Sequence, residues 1–135
     1  MKKLLIIVFI GMLLTFQFEK VNAQNQKVYD FVSVHTQPTF PGGVNNFNRY
    51  LISNIRYPEQ ARKSKTNGKV FLSFLVEKNG QLTDIKVLRS LGKGTDEEAV
   101  RVLKASPKWN PGILNGKPVR TLYNIAVTFN LKKNS

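Results

Sequence analysis

A chain of 135 residues has room for one domain, and its 41% apolar content supports a modest core without cross-links. Lys and Arg number 21 against eight acidic residues, a formal net charge of +13, with one histidine and no cysteine. That composition excludes a disulfide framework and a thiolate zinc site, and the charge bears on partners and solubility, not on fold.

Lys2 and Lys3 precede a mostly apolar, uncharged run from Leu4 to Phe16, after which a polar stretch ends in Val21, Asn22 and Ala23. The run is shorter than the roughly 18 to 20 residues that cross a hydrocarbon core. Small residues before Gln24 suit a cleavage site, so residues 1–23 are expected to be a secretory signal peptide, with an uncleaved membrane anchor as the alternative. Loss of Lys2, Lys3, Lys20 and Glu19 would leave 18 basic and seven acidic residues, so the positive charge belongs to the folded part.

Residues 24–43 are expected to be an extended lead-in. Tyr29 to His35 has the composition of a short strand, and Pro38, Pro41, Gly42 and Gly43 break regular structure after it. Val44, Phe47, Leu51, Ile52 and Ile55 recur at spacings of three and four, which predicts an amphipathic helix over 44–54. Pro58 restarts the chain, with one or two helical turns to Lys65 before Gly68 stops them. Val70, Leu72, Phe74 and Val76 then alternate with their neighbours, Asn79 and Gly80 suggest a tight type I′ turn, and residues 81–88 run back as the second strand of a hairpin.

Thr95 with Glu98 three residues on reads as a capping box opening a helix, with Asp96 and Glu97 complementing the helix dipole and Ala99, Val102 and Leu103 lining its buried side. Pro107 ends that helix, and residues 108–118 read as a loop containing Trp109, Pro111, Gly112 and Gly116. The final run, Val119 to Phe129, alternates with a period of two and predicts a strand of about eleven residues. A globular domain is expected over 44–131, followed by a basic tail, 132–135. The element order implies an α+β class: two helices packed on one face of a three-stranded, mainly antiparallel sheet.

Catalytic and metal chemistry lack their parts. His35 stands without a carboxylate cluster, and Asp96, Glu97 and Glu98 are explained by the helix start. Gly92 to Thr95 superficially resembles a phosphate loop, but three acidic residues follow at once and would repel a phosphate. Trp109 either stacks on a ligand or anchors its loop to the core, and Tyr57 either lines a groove or closes the first helix on the sheet. The expectation is a protein that is not an enzyme, with no metal and no cofactor. Scattered basic residues without interleaved aromatics argue against nucleic acid and leave cell wall or another anionic envelope component as a charge-driven alternative.

Phe40 to Gly43 (FPGG), Tyr57 and Pro58 with Ala61, Gly68 to Val70 (GKV), Val76 to Gly80 (VEKNG), Asp96 to Val102 (DEEAVRV), Pro107 to Gly112 (PKWNPG), Asn115 to Val119 (NGKPV) and Val127 to Phe129 (VTF) stand in an order that resembles the TonB C-terminal domain family, in the form common in Bacteroidetes. The resemblance covers about residues 36–131. It implies a periplasmic module of energy-transducing, TonB-dependent transmembrane transport. Such a module binds the TonB box, a short extended segment at the N-terminus of an outer-membrane transporter, as an added strand beside the last strand of the domain. Carried onto this chain, the peptide-binding residues are Arg120, Leu122, Asn124 and Ala126 on that strand, with Asn54, Arg56 and Tyr57 from the segment around the Tyr-Pro pair. Strand pairing between two copies would give a homodimer. TonB-type transducers carry a membrane helix and a long proline-rich spacer ahead of the domain. With neither in view here, the expectation is a free-standing periplasmic module.

The composition of the last strand fits that role. Strand edges are usually guarded by proline, lysine or bulges. From Val119 to Phe129 there is no proline, lysine or glycine, and Arg120 is the one charge. An unguarded edge is either covered or kept for a partner strand.

Overall fold

The computed structural model describes residues 27–132, so the leader and the end of the basic tail lie outside the described residues. In chain order the elements are β1 (Val28–Tyr29), a 3₁₀ turn (Phe31–Ser33), α1 (Val44–Asn54), α2 (Glu59–Lys63), β2 (Gly68–Val76), β3 (Leu82–Arg89), α3 (Thr95–Lys104), β4 (Gly112–Leu114) and β5 (Lys117–Phe129). The sheet runs β1-β5-β2-β3, with β4 paired to the start of β5. The α+β class stands. The sheet is more elaborate than three strands, because β1 adds a short parallel pairing at Arg120 and Thr121, and β4 forms inside the stretch expected to be a loop.

All three helices bury their apolar stripes on one sheet face. Phe47, Leu51 and Ile55 from α1 and its end, Ala61 from α2, and Ala99, Val102 and Leu103 from α3 meet Val70, Leu72, Phe74 and Val76 of β2 and Val127 and Phe129 of β5. The period-2 alternation of β2 and β5 puts these side chains on a common face, and the period of 3.6 does the same for α1 and α3. The lead-in is part of this body. Phe40 enters the core, Thr39 and Asn110 exchange two backbone hydrogen bonds of 3.1 and 2.8 Å, and the Ile113 carbonyl accepts the His35 and Thr36 N–H groups.

Trp109 is the anchor of its loop, 4% exposed. Its ring packs against Phe40, Phe47, Phe74 and Tyr123 at centroid distances of 5.1 to 5.8 Å, and its indole N–H donates to Ser106 Oγ at 2.9 Å. Its backbone N–H donates to the Gly80 carbonyl at 2.8 Å, tying the loop to the tip of the β2–β3 hairpin. That tip differs from the type I′ turn expected. Only Gly80 takes a positive φ, 87°, while Gly80 N–H bonds to the Glu77 carbonyl and Glu77 N–H to the Gln81 carbonyl. This is a three-residue loop closed by a left-handed glycine. A Cβ at Gly80 would stand 1.9 Å from the Trp109 carbonyl oxygen, so the loop approaches the hairpin where only glycine leaves room.

The capping box at Thr95 does not form. Gly94, in the left-handed region, precedes the helix, and the Thr95 hydroxyl donates back to the Gly92 carbonyl. Asp96 instead accepts the Leu91 N–H at 3.0 Å and the Ser90 hydroxyl, and Glu98 turns away from its own helix start.

Candidate peptide-binding site

The last strand decides what the sheet offers to a partner. β5 pairs with β2 through nine consecutive positions, Gly68 with Phe129 through Val76 with Thr121, without a register shift. On its other side β1 reaches only Arg120 and Thr121, and among the described residues no strand continues that pairing along Leu122–Phe129. The six positions Leu122–Val127 offer an edge of about 20 Å at the usual strand rise. Backbone groups on the outer side of a strand alternate, so this edge presents a regular row of donors and acceptors.

Two features flank the edge. At its start the 3₁₀ turn lies beside Leu122, Tyr123 and Asn124, with the Phe31 ring set edge-on to Tyr123 at 5.0 Å. Farther along, Leu51, Ile52 and Ile55 of the first helix and its end border a recess whose opposite wall is Ala126 and Thr128. Ile52 is 52% exposed there, an apolar side chain left standing beside the outer side of β5.

The structure sorts the residues expected to bind peptide into two groups. Leu122, Asn124 and Ala126 lie together on the outer half of β5, with Asn124 and Ala126 exposed. Arg120 is engaged elsewhere: its guanidinium forms a bidentate pair with Glu77, with Nε to Oε2 at 2.8 Å and Nη2 to Oε1 at 2.9 Å, and its backbone lies opposite β1. Hydrogen bonding from Arg120 holds the Glu77 carboxyl below its ordinary range. The pair fastens the beginning of β5 to the end of β2.

Asn54, Arg56 and Tyr57 form the connection between α1 and α2, and α3 holds it. The Arg56 N–H donates to Glu98, Arg101 Nη2 donates to the Asn54 carbonyl at 2.8 Å, and the Tyr50 hydroxyl donates to the Val102 carbonyl at 2.8 Å. Glu98 is 8% exposed and also accepts from Arg101 Nη2 at 2.9 Å. Burial pushes its carboxyl up, but the hydrogen bonds from Arg101 and Arg56 outweigh that and hold it below the ordinary carboxylate range. Tyr57 is buried edge-on to Phe129 at 5.9 Å, with its phenol donating to the Thr66 carbonyl, so its side chain closes the helical layer on the sheet. The Arg56 and Asn54 side chains remain exposed. No local pattern points to Glu98 in this clamp, because its partner N–H is 42 residues away and the helix start already accounts for the carboxylate.

Among the described residues no group of three or more His, Asp or Glu side chains is placed to hold a metal, and no helix is long and apolar enough to cross a membrane. The fold and the site together define a small α+β domain with its helices on one sheet face and, among the described residues, no strand paired to the outer side of β5 beyond Thr121. A family model described as the Gram-negative bacterial TonB protein C-terminal matches residues 53–131, more than half of the chain, and the protein belongs to that family. Solved structures similar to it include the solution structure of the Helicobacter pylori TonB C-terminal domain, 24% identical over 65% of this chain and 92% of that one, with a TM-score of 0.49. The Pseudomonas aeruginosa TonB C-terminal domain is also 24% identical, over 59% and 81% of the two chains, with a TM-score of 0.43. No curated protein matches the chain. Membership rests on the family model.

Proposed function

We propose that this domain binds an extended peptide by adding it as a strand beside Leu122–Val127, and that the peptide is the TonB box of an outer-membrane transporter. The family is a periplasmic, non-enzymatic one whose members interact with such transporters. The single observation that carries the reading to this chain is the stretch of β5 beyond Thr121, which has β2 on one side and no described strand on the other. A guest strand gains backbone hydrogen bonds there, and Ile52 with its neighbours supplies an apolar wall for its side chains. Export through a cleaved leader ending at Ala23 places the domain in the compartment where that partner is reached.

Titration with a synthetic TonB-box peptide, followed by amide NMR, tests the reading. Shifts are expected along Leu122–Val127 and at Asn54–Arg56. Shifts confined to β3, or none at millimolar peptide, would refute it. The charge-driven alternative, association with an anionic envelope polymer, draws on the 18 basic against seven acidic residues that remain after loss of residues 1–23. It differs in that binding would collapse with added salt and ignore changes along β5.

A further inference from the structure

Three asparagines in the chain, Asn67, Asn79 and Asn115, are each followed by glycine, and the fold treats them differently. An asparagine side chain before glycine is open to attack by the glycine's backbone nitrogen, because no Cβ crowds the approach. The attack needs a free side-chain amide and a free N–H on the next residue. Asn67 donates to the Lys65 carbonyl at 3.1 Å and accepts the Leu131 N–H at 3.1 Å, and Gly68 opens β2 opposite Phe129. Asn79 accepts the Gln81 N–H at 3.0 Å, and the N–H of buried Gly80 donates to the Glu77 carbonyl at 2.8 Å. Asn115 and Gly116 instead form the turn between β4 and β5, with left-handed φ values of 52° and 74° and Leu114 paired to Lys117. Both are exposed, and among the described residues neither the Asn115 side chain nor the Gly116 N–H has a hydrogen-bond partner.

We propose that Asn115 is a site of spontaneous deamidation, and that its conversion loosens the lead-in from the domain. The Gly116 nitrogen gives its proton to hydroxide and bonds to Cγ of Asn115. The Cγ–Nδ2 bond then breaks, and ammonia leaves with a proton from water, which restores the hydroxide. Water opens the resulting succinimide at either carbonyl, giving an aspartyl or an isoaspartyl link at position 115. The isoaspartyl link routes the main chain through Cβ, which lengthens the tight turn and disrupts the pairing of Leu114 with Lys117. Ile113 is next to that pair. Its N–H donates to the Thr36 carbonyl at 2.8 Å and its carbonyl accepts the His35 and Thr36 N–H groups, so the disruption reaches the lead-in.

Incubation of the full chain at mildly alkaline pH, followed by peptide mapping in a mass spectrometer, tests the site. Asn115 is expected to convert about tenfold faster than Asn67 or Asn79, each of which must first give up hydrogen bonds, and the three rates should converge in urea. Conversion of Asn67 or Asn79 as fast as Asn115 in the folded chain, or a preference that survives in urea, overturns the proposal. Hydrogen exchange tests the consequence. In the isoaspartyl form, separated by chromatography, the His35 and Thr36 amides should exchange about tenfold faster than in the starting chain. Asn115→Asp, which gains the same charge without the longer main chain and still suits the turn, should keep them protected. Unchanged protection in the isoaspartyl form, or equal loss of protection in Asn115→Asp, overturns the loosening.

Discussion

Among the described residues β3 and β5 each have a side that no long strand covers, yet they are built in opposite ways. β3 pairs with β2 through a register that slips twice, between Phe71 and Leu72 and between Ser73 and Leu75, and Asp84 within it has a φ of 50°. It also carries charge: Asp84 and Lys86 are paired at 3.4 Å, and the Arg89 guanidinium lies 5.7 Å from the centre of the Phe71 ring. Bulges and charges are the usual means of keeping foreign strands off an edge, and they keep a strand that exposes Val87 and Leu88 from pairing. β5 has none of these devices from Leu122 to Phe129, and its register against β2 is unbroken. On the proposed reading, the contrast puts peptide recognition in backbone regularity more than in any one side chain.

Four perturbations break or sharpen the contrast. The largest effect is expected from proline on the open edge. Amides alternate along a strand, so the outward set is either the even-numbered one, containing Ala126, or the odd-numbered one, containing Ile125. Proline at the outward-facing member of that pair should weaken peptide binding by about tenfold or more while the domain still folds, since it deletes a guest hydrogen bond and crowds the edge. Calorimetry with a TonB-box peptide measures it, and proline at Lys86 of β3 should leave the affinity unchanged.

Glu98→Gln comes next. It removes the charge that clamps Asn54 to Arg56 beside the groove, and should destabilise the fold by about 1 to 3 kcal/mol in urea denaturation. The wild-type stability has a matching pH dependence. Glu77, Asp96 and Glu98 all have folded-state pKa values below their ordinary ones. Their contribution is therefore complete above the unfolded carboxylate pKa of about 4 and is lost as pH falls through the lower folded values. In Glu98→Gln the loss of stability on acidification should be smaller.

Phe31→Ala should act more gently and in the opposite direction. Removing the ring beside Tyr123 frees the first positions of the edge, so peptides long enough to pair back to Leu122 should bind about threefold tighter, and short ones as before. The smallest expected effect is that of Lys86→Val. It weakens the guard on β3 without touching β5, so sedimentation should detect some concentration-dependent association while peptide affinity stays within about twofold.

Much of this was legible in the sequence where the pattern was local. The stripe of Phe47, Leu51 and Ile55 placed α1 at 44–54, and the alternation of β2 and β5 placed the hairpin partner and the last strand to within two residues. What was missed depends on contacts between distant segments. β1 is two residues long and forms only because Arg120 and Thr121 lie beside it, and β4 forms in a stretch rich in proline and glycine because Thr36 and Pro118 bracket Ile113. Glu98 matched a local capping pattern but satisfies the Arg56 N–H across the fold. The place of Leu122, Asn124 and Ala126 on the last strand followed from its alternation, and their part in peptide binding is a proposal that rests on the resemblance. The burial of Tyr57 and the engagement of Arg120 with Glu77 depend on tertiary neighbours that no local pattern encodes.

Hydrogen exchange resolved by residue, with and without a TonB-box peptide, tests the open edge most directly. In the free protein every second amide from Leu122 to Val127 should exchange quickly, while the alternate set, bonded to β2, is protected. Peptide should slow the fast set and leave β3 as it was. Uniform protection along β5 before any peptide is added, or protection that appears on β3 instead, would contradict the account.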